Sequence, residues 1–185
     1  VSGNTGKRFV DAFELAAGMV GALCVIAVLE WAFPAIPSTL GIRPREWSGL
    51  VGVIFGPTLH ASFGHLVANA IPLWVLLTLL FWDRHYLPGR TLALIWVASG
   101  LGTWLIGRGD STHLGASSII YGLVTYLVLA GLLMRSWRSV AIALLVVFLY
   151  GGIMFGVLPT HRQISWEGHL CGALAGIWAA RRNHA

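Results

Sequence analysis

Three histidines, an asparagine and a pair of serines stand among otherwise apolar residues: His60, His65, Asn69, Ser117, Ser118 and His169. A serine hydroxyl is a weak nucleophile until a base takes its proton, and histidine is the natural base near neutral pH. Ser117 and His169 could supply that pair. Ser117 heads an apolar run that continues to Met134. A helix N-terminus at that point would offer free backbone N–H groups and a dipole that favours negative charge. A tetrahedral oxyanion formed there would be stabilised, with His65 and Asn69 as further donors. Those two are four apart and share one helix face. Gly115 and Ala116 allow a sharp turn and leave room for a substrate backbone, and Tyr121 could pack against the His169 ring. Asp110 and Glu167 read as loop residues, and loop charges are ordinarily solvated, so the pattern is a dyad and not a triad.

Other chemistries fit these residues less well. His60 and His65 are five apart, about 500° of helical turn, which splays their side chains by about 140° and makes no zinc motif. No metal or cofactor is expected. An ion or proton path needs carboxylates and polar groups along a complete route. The spans read as having no interior carboxylate, which counts against transport. Interhelical hydrogen bonding, worth about 0.6 kcal/mol on average, would explain any one of the polar residues alone. It explains their convergence at one depth less readily.

The elements that must position them are membrane helices. Only 10% of the 185 residues are charged and 57% are hydrophobic, against about 25% charged in a soluble domain. So few charges cannot cover a water-facing surface. The excess of Lys and Arg over Asp and Glu lies at the ends of apolar runs, which argues against nucleic-acid binding. Cys24 and Cys171 read as buried small residues, not as a disulfide or metal pair. The start at Val1 suggests trimming, and no cleaved signal peptide is expected.

Apolar stretches run over about 10–33, 59–82, 91–106, 114–134, 140–158 and 168–180. A crossing takes about 20 apolar residues, so the third and sixth must borrow flanking residues whose arginines snorkel. Six crossing helices is the simplest count, as a single all-α polytopic domain over 1–185. Lys7, Arg8, Arg84, Arg90, Arg135, Arg138, Arg181 and Arg182 fall on one side, and Arg43, Arg45, Arg108 and Arg162 on the other. The richer side is expected to be cytoplasmic and to hold both termini. The loop at about 34–58 is then extracytoplasmic, and its mixture of Trp, Val, Ile and Phe with Arg and Pro suggests an element half in lipid.

The constellation resembles the rhomboid intramembrane serine proteases over about Arg43 to Gly176. "HASFGHLVAN" is similar to the second-helix His followed by HxxxN, "GASS" to GxSG, and "HLCGALAG" to HxxGxxxG in the last helix. "IRPREW" lies where that family carries its first-loop membrane-embedded element. The resemblance implies a six-helix bundle, Ser117 as nucleophile and His169 as base. It also implies His65 and Asn69 as oxyanion donors and Tyr121 stacked on His169. His60 matches the family's preceding histidine, in a supporting role or a structural hydrogen bond. Gly172 and Gly176 match glycines that bring the last helix against the serine helix, as small-xxx-small packing also implies. Ser118 departs from the pattern, which has glycine there. It lies about 100° round the helix from Ser117, so it is not expected to be the nucleophile.

The expected activity is endoproteolysis of transmembrane proteins near the extracytoplasmic face. Segments with weak helix formers would be preferred, because an intact helix hides its carbonyls. The fifth helix and the loop Pro159 to Glu167 would gate entry, with Trp166 as a plug or a member of an aromatic belt. A pseudoprotease that binds membrane helices without cutting is the alternative. The compact form fits a bacterial plasma membrane protein.

Overall fold

The computed structural model describes residues 2–33, 35–160 and 164–184, with side chains from residue 6 onward. His161, Arg162 and Gln163 of the expected gating loop, and the Val1 start, lie outside the described residues. The fold is all-helical: α1 (Ser2–Ala32), α2 (Ala35–Leu40), α3 (Val51–Phe55), α4 (Phe63–Trp82), α5 (Pro88–Ile106), α6 (Ser117–Leu133), α7 (Trp137–Tyr150) and α8 (Trp166–His184). Among the described residues, four stretches are long and apolar enough to cross a membrane: Gly6–Ala32, Phe63–Trp82, Arg84–Ile106 and Trp137–Val157. This is an integral membrane protein. The apolar helix α6 is shorter, and α8 ends in Arg181 and Arg182.

The helix boundaries follow from local chemistry. Ser62 is in extended conformation and its hydroxyl accepts the His65 N–H at 3.1 Å, which caps α4. α4 ends at Asp83, whose carboxylate accepts the His85 N–H at 3.0 Å. α5 begins with Pro88, whose missing N–H costs nothing in a first turn. Ser136 and Ser139 form a reciprocal capping box at the start of α7. After Tyr150 the chain tightens into 3-10 turns over Gly151–Val157.

α6 lies at the centre, packed against α4, α5, α7 and α8. Its Ile119, Leu123 and Leu127 join Leu73, Leu76 and Leu80 of α4 in one buried cluster. The approach to α8 is closest. A Cβ on Gly172 would lie 2.0 Å from the Ser118 carbonyl oxygen, and one on Gly176 would lie 2.0 Å from that of Gly122. Only glycine lets the two backbones meet, as in small-xxx-small packing.

The segment at 35–58 folds against the bundle. Ile42 and His113 pair as an isolated antiparallel bridge, exchanging N–H···O bonds of 2.9 and 2.8 Å. The Arg45 guanidinium donates to the Gly107 carbonyl at 2.7 Å, and the Trp96 indole N–H donates to the Val53 carbonyl at 3.0 Å. Two expectations need correction here. Cys24 is exposed on the outer face of α1, because the apolar α1 turns that face away from the bundle; Cys171 is buried. The interior also holds a carboxylate, Glu30 near the end of α1, only 3% exposed.

Candidate active site

Ser117 opens α6, with Ala116 before it offering no side-chain cap. The first N–H groups of the helix are therefore not taken by a capping side chain. The turn into α6 passes through Gly115 at φ +105°, a conformation that glycine adopts without a steric penalty. A Cβ at Gly115 would also strike the His65 ring at 2.6–2.7 Å. The Gly115 N–H donates to the Gly56 carbonyl at 2.9 Å, so the 35–58 segment fixes the approach to the serine.

The Gly172–Ser118 contact brings His169 of α8 to Ser117, with His169 Nε2 2.9 Å from Ser117 Oγ. The other ring nitrogen, Nδ1, is 2.8 Å from the Gly156 carbonyl oxygen in the 3-10 turns after α7. A carbonyl can only accept, so Nδ1 carries the proton and Nε2 presents its lone pair to the serine hydroxyl. The backbone carbonyl thus fixes the tautomer that a triad carboxylate would otherwise fix. Tyr121 lies flat on the His169 ring, centroids 4.2 Å apart and planes 9° from parallel, and its hydroxyl donates to the Ile153 carbonyl.

A cavity of about 830 Å³ opens over this pair and is lined by His65, Asn69, Ser117, Tyr121, Ile153 and His169 among others. Asn69 is buried, and its Nδ2 donates to the His65 carbonyl at 2.8 Å. Ala68 and Pro72 of α4 also line the cavity. Pro72 has no N–H to give, which frees the Ala68 carbonyl at that wall. Ser118 does not line this cavity. It faces a small recess beside Gly115, Ser165 and Gly168.

His60 is not in the cavity. It is 1% exposed, lies edge-on to His65 at 5.3 Å between centroids, and its backbone N–H donates to the Glu30 carboxylate at 2.9 Å. Both ring nitrogens of His60 and the second oxygen of Glu30 are buried without a protein partner among the described residues. Glu167 also corrects the sequence reading. It is 1% exposed in the first turn of α8, and the Arg108 Nε donates to it at 2.8 Å. Its carboxylate makes no hydrogen bond to His169, which bonds to Ser117 and Gly156. Arg108 also donates to the Ile164 carbonyl at 2.7 Å, and His113 Nδ1 lies 2.6 Å from Ser165 Oγ. These contacts clasp the loop before α6 to the start of α8. Asp110 is exposed, and half-buried Trp166 lies outside the cavity wall.

Sequence reasoning missed Glu30, Arg108, His113 and the Gly156 carbonyl. Glu30 lies within the apolar stretch at 10–33, which the sequence reading took to have no interior carboxylate. A backbone carbonyl has no sequence signature.

Residues 44–183 match the family of rhomboid domains, and the chain belongs to the rhomboid family. That family generally comprises serine intramembrane proteases. Among curated proteins, Rv1337 of Mycobacterium tuberculosis is 46% identical over 151 residues, covering 76% of this chain and 62% of its own length. ML1171 of Mycobacterium leprae is 40% identical over 148 residues, covering 76% and 59%. YdcA of Bacillus subtilis, whose name includes the words rhomboid protease, is 29% identical over 119 residues, covering 62% and 57%. The chain therefore spans about three fifths of the length of these relatives. No solved structure gives a significant match.

Proposed function

We propose that the protein is an intramembrane serine endopeptidase with Ser117 as nucleophile and His169 as general base. One observation carries the reading. The His169 Nε2 lies 2.9 Å from Ser117 Oγ while Nδ1 is committed to the Gly156 carbonyl, so the ring can accept the serine proton. Ser117 Oγ attacks the scissile carbonyl carbon as its proton passes to Nε2. The resulting oxyanion is stabilised by N–H groups at the start of α6 and by donors from His65 and Asn69. The imidazolium then gives its proton to the departing amine, leaving an acyl-serine. Water, deprotonated by the same nitrogen, releases the acid and restores the hydroxyl.

The bundle in this reading has six crossing helices, α1 and α4 to α8, with α2 and α3 in an extracytoplasmic first loop. Both termini are cytoplasmic, as the arginine distribution supports, and the bacterial relatives point to a plasma membrane. Substrates are transmembrane proteins whose spans contain weak helix formers near the outer face, because a hydrogen-bonded carbonyl must be exposed before attack. The name of YdcA supports a protease. A rhomboid-like pseudoprotease is the rival reading, favoured only by the serine at 118 where the family pattern has glycine.

The test is cleavage of a reconstituted transmembrane substrate by the wild type and by Ser117→Ala, Ser118→Ala and His169→Ala. Turnover should fall about 10,000-fold or more in the first and third and persist in Ser118→Ala. Full activity in Ser117→Ala refutes the dyad. A well-folded wild type that binds the substrate and never cleaves it establishes the pseudoprotease.

A further inference from the structure

We propose that a cavity at the end of the bundle remote from Ser117 binds an anionic glycerophospholipid, with Arg8 and Arg138 holding its phosphate. This goes beyond the protease reading and does not depend on it. The cavity is about 380 Å³ and sits between the start of α1, the end of α4 and the start of α7. Its floor is apolar, with Leu79 of α4 and Ile142 and Leu145 of α7. Its rim is cationic and aromatic. The Arg138 guanidinium lies 5.6 Å from the centre of the Trp82 ring, which orients its planar donor face, and Trp137 beside it is 80% exposed. Arg8 reaches the same rim from α1.

Both arginines lack an ion-pair partner among the described residues. Two carboxylate oxygens also face the rim, those of Asp83, but Asp83 Oδ1 is already held by the His85 ring at 2.7 Å and its backbone N–H at 3.0 Å. Asp83 also attracts Arg138 electrostatically, so the rim sets two guanidinium groups against one carboxylate that its own loop already engages, which leaves a net positive charge for an incoming anion. Arginine pairs with phosphate oxygens through two parallel N–H donors, and basic pockets between helix ends are a recurrent way of holding anionic head groups. The occupant must also satisfy the apolar floor. A free phosphate ion cannot do so, whereas a phospholipid places its acyl chains there and its phosphate at the rim.

The experiment titrates purified protein in neutral detergent with phosphatidylglycerol or phosphatidylcholine of matched chains, and bound lipid is counted by native mass spectrometry. Wild type should bind phosphatidylglycerol at least about tenfold more tightly. The double variant R8Q/R138Q should lose that preference, while R181Q, on the exposed end of α8, should keep it. R138K should retain part of it, since charge remains and the stacked fork does not. Equal binding of the two lipids by wild type overturns the proposal, as does a preference that survives R8Q/R138Q. Phosphatidylethanolamine binding as tight as phosphatidylglycerol would assign the recognition to Asp83 and overturn the anionic selectivity. Inorganic phosphate that displaces phosphatidylglycerol at millimolar concentration would show that the apolar floor contributes nothing.

Discussion

α6 and α8 meet backbone to backbone, with no room for a Cβ at Gly172 or Gly176, whereas α7 packs on α6 through one stripe of side chains, Ser139, Ala143 and Val146, and turns its other face outward. In that stripe Ser139 Oγ donates to the Gly131 carbonyl at 3.1 Å. Further along, Leu144, Phe148 and then Phe155 point outward, 65%, 86% and 74% exposed. The two regions share the work on one histidine. The close seam sets the distance from His169 to Ser117. The segment after α7 supplies the carbonyls of Gly156 and Ile153 that orient His169 and Tyr121. The distance between Ser117 and His169 is therefore set by the close seam, and the tautomer of His169 by the docking of the segment after α7.

The strongest way to break that contrast is Gly172→Val. It forces the seam apart, and overpacking at a rigid contact costs about 1–3 kcal/mol, occasionally more. Its thermal unfolding midpoint in detergent should fall more than that of any other variant named here; an unchanged midpoint would mean the seam is not tight. Glu30→Leu comes next, because it strands the buried His60 N–H at a cost of about 1–3 kcal/mol. Glu30→Gln keeps an acceptor and should recover most of that loss. If both variants unfold like wild type, α1 does not anchor the residues in front of His65.

Tyr121→Phe keeps the stacked ring and removes only the hydroxyl that donates to Ile153. One such bond is worth about 1 kcal/mol, so turnover should drop about fivefold with little change in the unfolding midpoint. A large loss of stability with unaltered turnover would instead show that the Tyr121 hydroxyl serves packing and not the orientation of His169. His113 gives a smaller, pH-dependent effect. Burial, the larger influence, holds its imidazole below the ordinary value near 6.5, although the Arg108 carbonyl favours the protonated form. The unfolded chain therefore binds the proton first. The stability tied to neutral His113 is full above the ordinary range and declines as pH falls below about 6.5. The unfolding midpoint should drop less between pH 7.5 and 5.5 in His113→Gln than in wild type, and identical slopes would refute the clasp. Phe148→Leu, on the outward face of α7, should move stability by no more than about 0.5 kcal/mol; a larger shift would show that this face too packs on the bundle.

Much of the bundle is legible in the residue order, because helical neighbours are fixed by local spacing. The steps from His65 to Asn69 and from Ser117 to Tyr121 put each pair on one face. The step from Gly172 to Gly176 marks a face that a backbone can approach. Apolar runs between arginines mark the helices, and Gly115 before two serines marks a turn into one of them.

What the order of residues leaves open lies between elements that are remote in the chain. Glu30 stands in an apolar stretch with no mark of its burial until the His60 N–H meets it, and Glu167 reads as a solvated loop charge until Arg108, ahead of α6, pairs with it. Gly156 contributes to His169 through a carbonyl that every residue possesses, so no choice of side chain announces it. The sequence by itself determined which residues could do acyl-transfer chemistry and which helix faces carry them, since both depend on side-chain type and the pitch of a helix. The tertiary structure alone decided which nitrogen of His169 faces Ser117, because a tautomer is set by an acceptor that packing delivers.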